Sequence, residues 1–197
     1  MALTGSLASR PRGSSSKLTG SYNPIPFVSF LVSHTVYVQS NQNSKMVPPP
    51  TLMFPSLHED VSDAVSPHIT WLTFNNTNTS VGTSKEYSTF VMGQFRCDND
   101  TCEKDSWRSG KITILIRQYP NGSYNSGVFK QRCNECSWRG RLIMDEASYV
   151  ERVSFRLLKW SGVQQEVHSE HAPRQTPPHD QANCEGCRRG VCRESER

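Results

Sequence analysis

The sequence predicts an α+β fold: a small antiparallel sheet, then an amphipathic helix, with two short stretches held by something other than an apolar core. Three observations carry this. Short apolar runs fill the middle of the chain, helical spacing takes over near residue 150, and all seven cysteines fall into three tight groups. Strands followed by a helix are the pattern of an α+β domain.

The elements follow in order. "PSLHEDVSDAV" has a Pro–Ser start and early acids, and it spaces Leu57, Val61 and Val65 along one helix face. "HITWLTF", "YSTFVMGQFRC", "KITILIRQY" and "SGVFKQRC" then read as strands, the last two joined by "PNGSYN". Its Asn121-Gly122 pair suits a hairpin turn, because both residues tolerate the positive φ such a turn requires. "RGRLIM" is a further strand candidate. In "DEASYVERVSFRLLKWSG" Asp145 can cap a helix, Glu146 suits its positive end, and Val150, Val153, Leu157 and Trp160 form one stripe. Gly162 can end it.

Composition bounds the remainder. With 35% apolar residues in a chain of 197, part of the protein is expected to lie outside any core. Residues 1 to about 50, rich in Ser, Gly, Pro and Asn, read as a disordered tail. Its run "PFVSFLVSHTVYV" is too short to span a membrane and follows too long a polar lead for a secretory signal. A mitochondrial transit segment is one alternative, and a functional start at Met46 another. Residues 54–192 read as the folded domain and 193–197 as a C-terminal tail.

The net charge of +4 comes from the tail, since Arg10, Arg12, Lys17 and Lys45 precede the first acidic residue. The other eighteen basic residues balance the eighteen acidic ones. A neutral domain is a poor generic ligand for phosphate backbones, although Arg188 and Arg189 could form a local patch.

The cysteines carry the chemistry. Cys97 and Cys102 lie in "CDNDTC", Cys133 and Cys136 in "CNEC", and Cys184, Cys187 and Cys192 in "CEGCRRGVC". An odd number of thiols cannot close a disulfide framework, but a histidine can complete a metal set. Cysteine pairs at either end of a β-hairpin match a zinc ribbon: each turns back in a tight loop, and the hairpin brings the loops together. Four thiolates at roughly 2.3 Å close a tetrahedron, which makes a structural site. His179 with Cys184, Cys187 and Cys192 supplies four more ligands, so two zinc ions are expected. A second zinc would hold a polar C-terminal segment that has no visible core. Local pairing and interleaving of ligands between the sites both remain open.

Competing readings are weaker. Isolated cysteines are more often buried apolar residues, but seven in three clusters are not isolated. A redox dithiol at Cys133 and Cys136 lacks a βαβ setting. His168 and His171 compete with His179, whereas His34, His58 and His68 are remote from every cluster. Asn75, Asn78, Asn99 and Asn121 begin glycosylation sequons, read here as chance because the thiols suit metal.

These residues support a resemblance. "MGQFRCDNDTC", Trp107, "KITILIR", "FKQRCNEC", "YVERVSFRLLKWSG" and "PPHDQANCEGCRRGVC" resemble the 3CxxC-type zinc finger family. That zinc-binding domain is shared by many fungal proteins and by the receptor-transporting proteins. The resemblance runs from about Met53 to Cys192 and implies a zinc-binding domain. "LMFPSLHEDVSDAVSPH" resembles the fungal members in particular. There are two departures: the first pair is C-x4-C where the family's nominal spacing is C-x2-C, and no C-terminal anchor like that of the receptor-transporting proteins follows.

The functional expectation is a non-enzymatic, zinc-stabilised protein-interaction or chaperone-like module with an unknown protein partner and no transmembrane segment. It would be intracellular and cytoplasmic, with mitochondria as the competing compartment. The alternative is a nucleic-acid-binding zinc ribbon, which the arginines near the last site favour and the neutral domain opposes. An enzyme ranks third. Catalytic zinc needs an open position, and eight ligands fill two closed sites. There is no Ser–His–Asp motif or phosphate-cradling glycine loop.

Overall fold

The structure, a computed structural model, describes residues 48–164 and 178–195. The expectations for residues 1–47, His34, His168 and His171 lie outside them.

The described residues form one mostly antiparallel sheet with its two longer helices on one face. Its strands are β1 (Thr51–Leu52), β2 (Thr73–Phe74), β3 (Lys85–Arg96), β4 (Ser106–Gln118), β5 (Ser123–Phe129) and β6 (Arg141–Met144). The order is β1-β5-β4-β3-β6, and β2 lies parallel to β5 off that path. Helices α1 (His58–Val65) and α2 (Glu146–Trp160) cover one face, and a short α3 (Glu185–Arg188) follows near the C-terminus. Among the described residues no helix is long and apolar enough to cross a membrane.

The hairpin forms where Asn121-Gly122 predicts it. Gly122 takes φ +79°, and the Asn121 side chain accepts from the Ser123 backbone N–H at 3.1 Å. From this turn β4 and β5 run back toward the cysteine loops. Helix α2 is capped by Asp145, whose side chain accepts from the Ser148 N–H. It ends at Gly162, φ +82°. A bulge in β4, where Gly110 and Lys111 face the single Met92 of β3, lies beside the start of α2. The Met92 N–H donates to Ser148 Oγ at 3.0 Å, and the Met92 carbonyl accepts from the Asp145 N–H at 3.1 Å.

The core lies between sheet and helices. Ile112, Ile114, Ile116, Tyr124 and Val128 pack with Leu57, Val61 and Val65 near α1 and with Tyr149, Val153 and Leu157 of α2. Each fully buried aliphatic or aromatic side chain contributes about 1.5–3 kcal/mol. Alternation fails in the middle of the sheet, where Ile112–Arg117 and all of β5 are buried. The reason is a second layer. The Asn125 side chain donates to the Thr77 carbonyl, Tyr119 Oη to the Thr79 carbonyl, and Arg117 to Asn78 and Glu86. This polar network lays the 75–80 loop over the face opposite the helices.

One expectation needs correction. "HITWLTF" forms only the two-residue β2, and Trp71 is 86% exposed. β1 lies at Thr51–Leu52, and the Pro48 and Pro50 carbonyls accept hydrogen bonds from Arg139 and Lys130. The C-terminal segment, in which the sequence shows no hydrophobic face, packs on the sheet through Gly186 against Thr113.

Candidate metal centres

The first group is built by two loops at the end of the β4–β5 hairpin opposite its turn. Cys97 directly follows β3, and its N–H donates to the Asp105 carbonyl, closing the β3–β4 loop. The Asn99 side chain accepts from the Thr101 N–H at 3.3 Å and from Thr101 Oγ1 at 3.0 Å. The Asn99 carbonyl accepts from the Cys102 N–H, so this local turn absorbs the extra residues of the C-x4-C spacing. Beyond β5, the Cys133 N–H donates to the Trp138 carbonyl, and Ser137 takes φ +58° to turn the chain back.

The sulfurs of Cys97, Cys102, Cys133 and Cys136 all lie within 4.8 Å of one another. Cys97 to Cys136 is 3.5 Å and Cys102 to Cys133 is 3.7 Å. These are not disulfide distances, which are about 2.05 Å. They match the edge of a thiolate tetrahedron, about 3.8 Å for zinc–sulfur bonds of about 2.3 Å. Burial pushes the Cys97 thiol up to about 12, and it raises Cys102 as well. Burial opposes ionisation of Cys136 too, but a hydrogen bond from the Asn99 side chain and one from the Trp138 backbone bring that thiol down to about 7. Such a cluster becomes fully thiolate only when a cation neutralises it.

The second group is His179, Cys184, Cys187 and Cys192, whose donor atoms also lie within 4.8 Å of one another. His179 Nε2 is 3.3 Å from the Cys187 sulfur and 3.6 Å from that of Cys192. Helix α3 carries the chain from Cys184 to Cys187. Gly190, at φ +67°, then reverses it so that the Val191 and Cys192 N–H groups reach the Gly186 carbonyl. Burial lowers the pKa of His179, which favours the neutral imidazole that a ligand must be. The grouping is local, with no ligand exchanged between sites. His58 instead packs against Phe74 and Tyr124, and its Nδ1 is 3.3 Å from Tyr124 Oη.

The two centres are joined. Gln131 and Cys184 form a β-bridge, the Arg132 N–H donates to the Asn183 carbonyl at 2.7 Å, and the Glu185 N–H donates to the Lys130 carbonyl at 3.1 Å. Glu185 is 3% exposed, and its Oε1 accepts from Arg132 Nε at 2.7 Å and Arg139 Nε at 2.8 Å. Burial would raise its carboxyl, but the hydrogen bonds and charges of the two arginines hold it below the usual range. Sequence reasoning missed Glu185. The available signal was an acid inside "CEGC" together with arginines flanking "CNEC" on both sides. Gly186 was missed too: a Cβ there would sit 2.6 Å from Thr113 Oγ1 of β4.

Four thiolates, or three thiolates with one imidazole, are donor sets of structural zinc sites. Residues 90–190 match the family model of the 3CxxC zinc ribbon, described as a zinc-binding domain. The chain belongs to this 3CxxC zinc-ribbon family. The match includes every candidate ligand except Cys192, two residues beyond it. The chain is also similar to human receptor-transporting protein 4, at 30% identity over 128 residues, covering 55% of this chain and 49% of that protein. It thus spans about half the length of that curated relative. No solved structure matches the chain. In this zinc-ribbon domain the ions would be held by the eight residues named. They would supply charge neutralisation and cross-linking of loops.

Proposed function

We propose that the chain is a non-enzymatic, zinc-stabilised module that acts by binding another protein, in a chaperone-like or adaptor role. The observation that carries this reading is that each centre gathers four side-chain donors. Four protein donors would fill the tetrahedron of a zinc ion and leave no coordination position for substrate or water. The free cysteines suit a reducing compartment, which makes the cytoplasm its natural setting.

Cobalt substitution tests the closed sites. The visible spectrum of the two-cobalt protein is expected to show tetrahedral thiolate bands that do not change when cyanide or imidazole is added. A ligand-induced shift would open a coordination position and reinstate the enzyme reading. The interaction half is tested with immobilised two-zinc protein as bait. Reproducible protein capture that is lost on chelation is expected, and capture of none by the loaded protein would defeat the reading.

A further inference from the structure

A groove of about 470 Å³ runs from the β3–β4 loop to His179, the one candidate ligand in its lining. Its lining includes Lys104, Trp107, Arg108, Lys111, Arg132 and Asp180, four cations to one acid. Lys111 is paired with Glu194 at 3.0 Å, and Arg132 with Glu185. Lys104 and Arg108 have no acidic partner among the described residues. Asp180, whose two oxygens accept from the Asn183 N–H and side-chain amide, keeps its charge and offsets one of these two cations. The groove is left with one unmatched positive charge.

Its wall is preorganised. The Trp107 ring stacks on Phe95 with centroids 5.3 Å apart, and its Nε1 donates to Gln131 Oε1 at 3.2 Å. β4 pairs with β3 down to Ser106, whereas β5 leaves β4 at Ile114. Beside this part of β4, side chains stand where a strand would continue. The Lys111 N–H donates to Ser109 Oγ, and the Lys111 carbonyl accepts from Gln131 Nε2, each at 3.2 Å.

We propose that this groove is the partner-binding surface and that it takes a short acidic segment of another protein. The inference rests on the protein-interaction reading above and gives it a place and a ligand chemistry. Charge complementarity decides the class. A polynucleotide needs positive surface over many phosphates, and the chain beyond its N-terminal tail carries no net positive charge. A few carboxylates need only a local cationic groove, with a rigid aromatic wall to limit the entropy lost on binding.

The test is fluorescence anisotropy of fluorescein-labelled octaglutamate on the full two-zinc chain, with octalysine and a uridine 12-mer as comparison probes. Saturable binding of octaglutamate that weakens with salt is expected. The Lys104→Gln/Arg108→Gln double variant should weaken it about fivefold, the effect of removing two exposed ion pairs, while keeping two zinc ions and its melting temperature. Arg188→Gln/Arg189→Gln removes the same charge from exposed residues outside the groove and should change binding less than twofold. The proposal is overturned if wild type shows no saturable binding, or if both double variants weaken it equally. It is also overturned if the uridine 12-mer binds more tightly and depends on Lys104 and Arg108. Bait capture separates the two levels. Partners retained equally by wild type and the groove variant would sink the groove but leave the interaction reading standing.

Discussion

Ser137 holds φ +58°, a left-handed conformation that costs a non-glycine residue roughly 1–2 kcal/mol. It turns the chain immediately after Cys136, so Ser137→Gly is expected to keep both metals and raise the melting temperature slightly. Gly186 is the opposite case. The Cβ of Gly186→Ala would fall within 2.8 Å of three Thr113 atoms that belong to a short, β-branched side chain on a buried strand. The cost should be about 1–3 kcal/mol of overpacking, read as a lower melting temperature and weaker retention of the second zinc. At Cys133, fully buried, Cys133→Ser should lose one zinc and the cooperative melt, because metal-binding energy here is folding energy. An unchanged melt would remove the ribbon assignment. The elevated Cys97 thiol sets a pH sign: at neutral pH it must lose its proton to ligate, so zinc binding should release protons and tighten as pH rises. Calorimetry in buffers of different ionisation enthalpy reads that release directly.

Among the elements, the decisive contact is the docking of the C-terminal knuckle on the β5–β6 connection. Hydrogen bonds at residues 130–132 and the Glu185 fork tie one zinc loop to the other. Glu185→Gln leaves two guanidiniums beside a neutral amide. Both arginines keep about a fifth of their surface in solvent, so the loss should fall at the lower end of the roughly 3–5 kcal/mol seen for broken buried pairs. Chemical denaturation measures it, and an unchanged midpoint would make the fork ornamental. Cys187→Ser should loosen residues 178–192 and expose the 130–132 edge while α2 and β3–β5 stay folded. Hydrogen exchange would show protection lost in those two stretches alone. The hairpin, α1 and α2 were legible because turn chemistry, capping and periodicity are local. β2 was over-read from "HITWLTF", because alternation cannot tell a strand from a loop whose Ile69 and Leu72 merely touch the core.

For the whole molecule, charge and metal divide the roles. The basic excess sits in residues 1–45, and the remaining basic residues are matched in number by acids. Cations nonetheless concentrate in one groove, which a count along the chain cannot show. Eight ligands in two local tetrads give a stoichiometry of two zinc ions per chain, which native mass spectrometry of protein purified without added metal should find. One ion, or none, would reopen the redox and catalytic readings. Chelation should abolish the cooperative melt as Cys133→Ser does, because metal-binding energy here is folding energy.

The sequence by itself determined the α+β order, the hairpin, the helix caps and the eight candidate ligands. These depend on near neighbours and on the rarity of clustered thiols. Only the tertiary structure decided that the ligands group locally, that Glu185 is buried between two arginines from the other loop, and that Gly186 rests on Thr113. It also decided which cations share a groove. Those facts depend on residues about 50 to 75 positions apart meeting through the sheet, a distance over which no periodicity or spacing rule carries information.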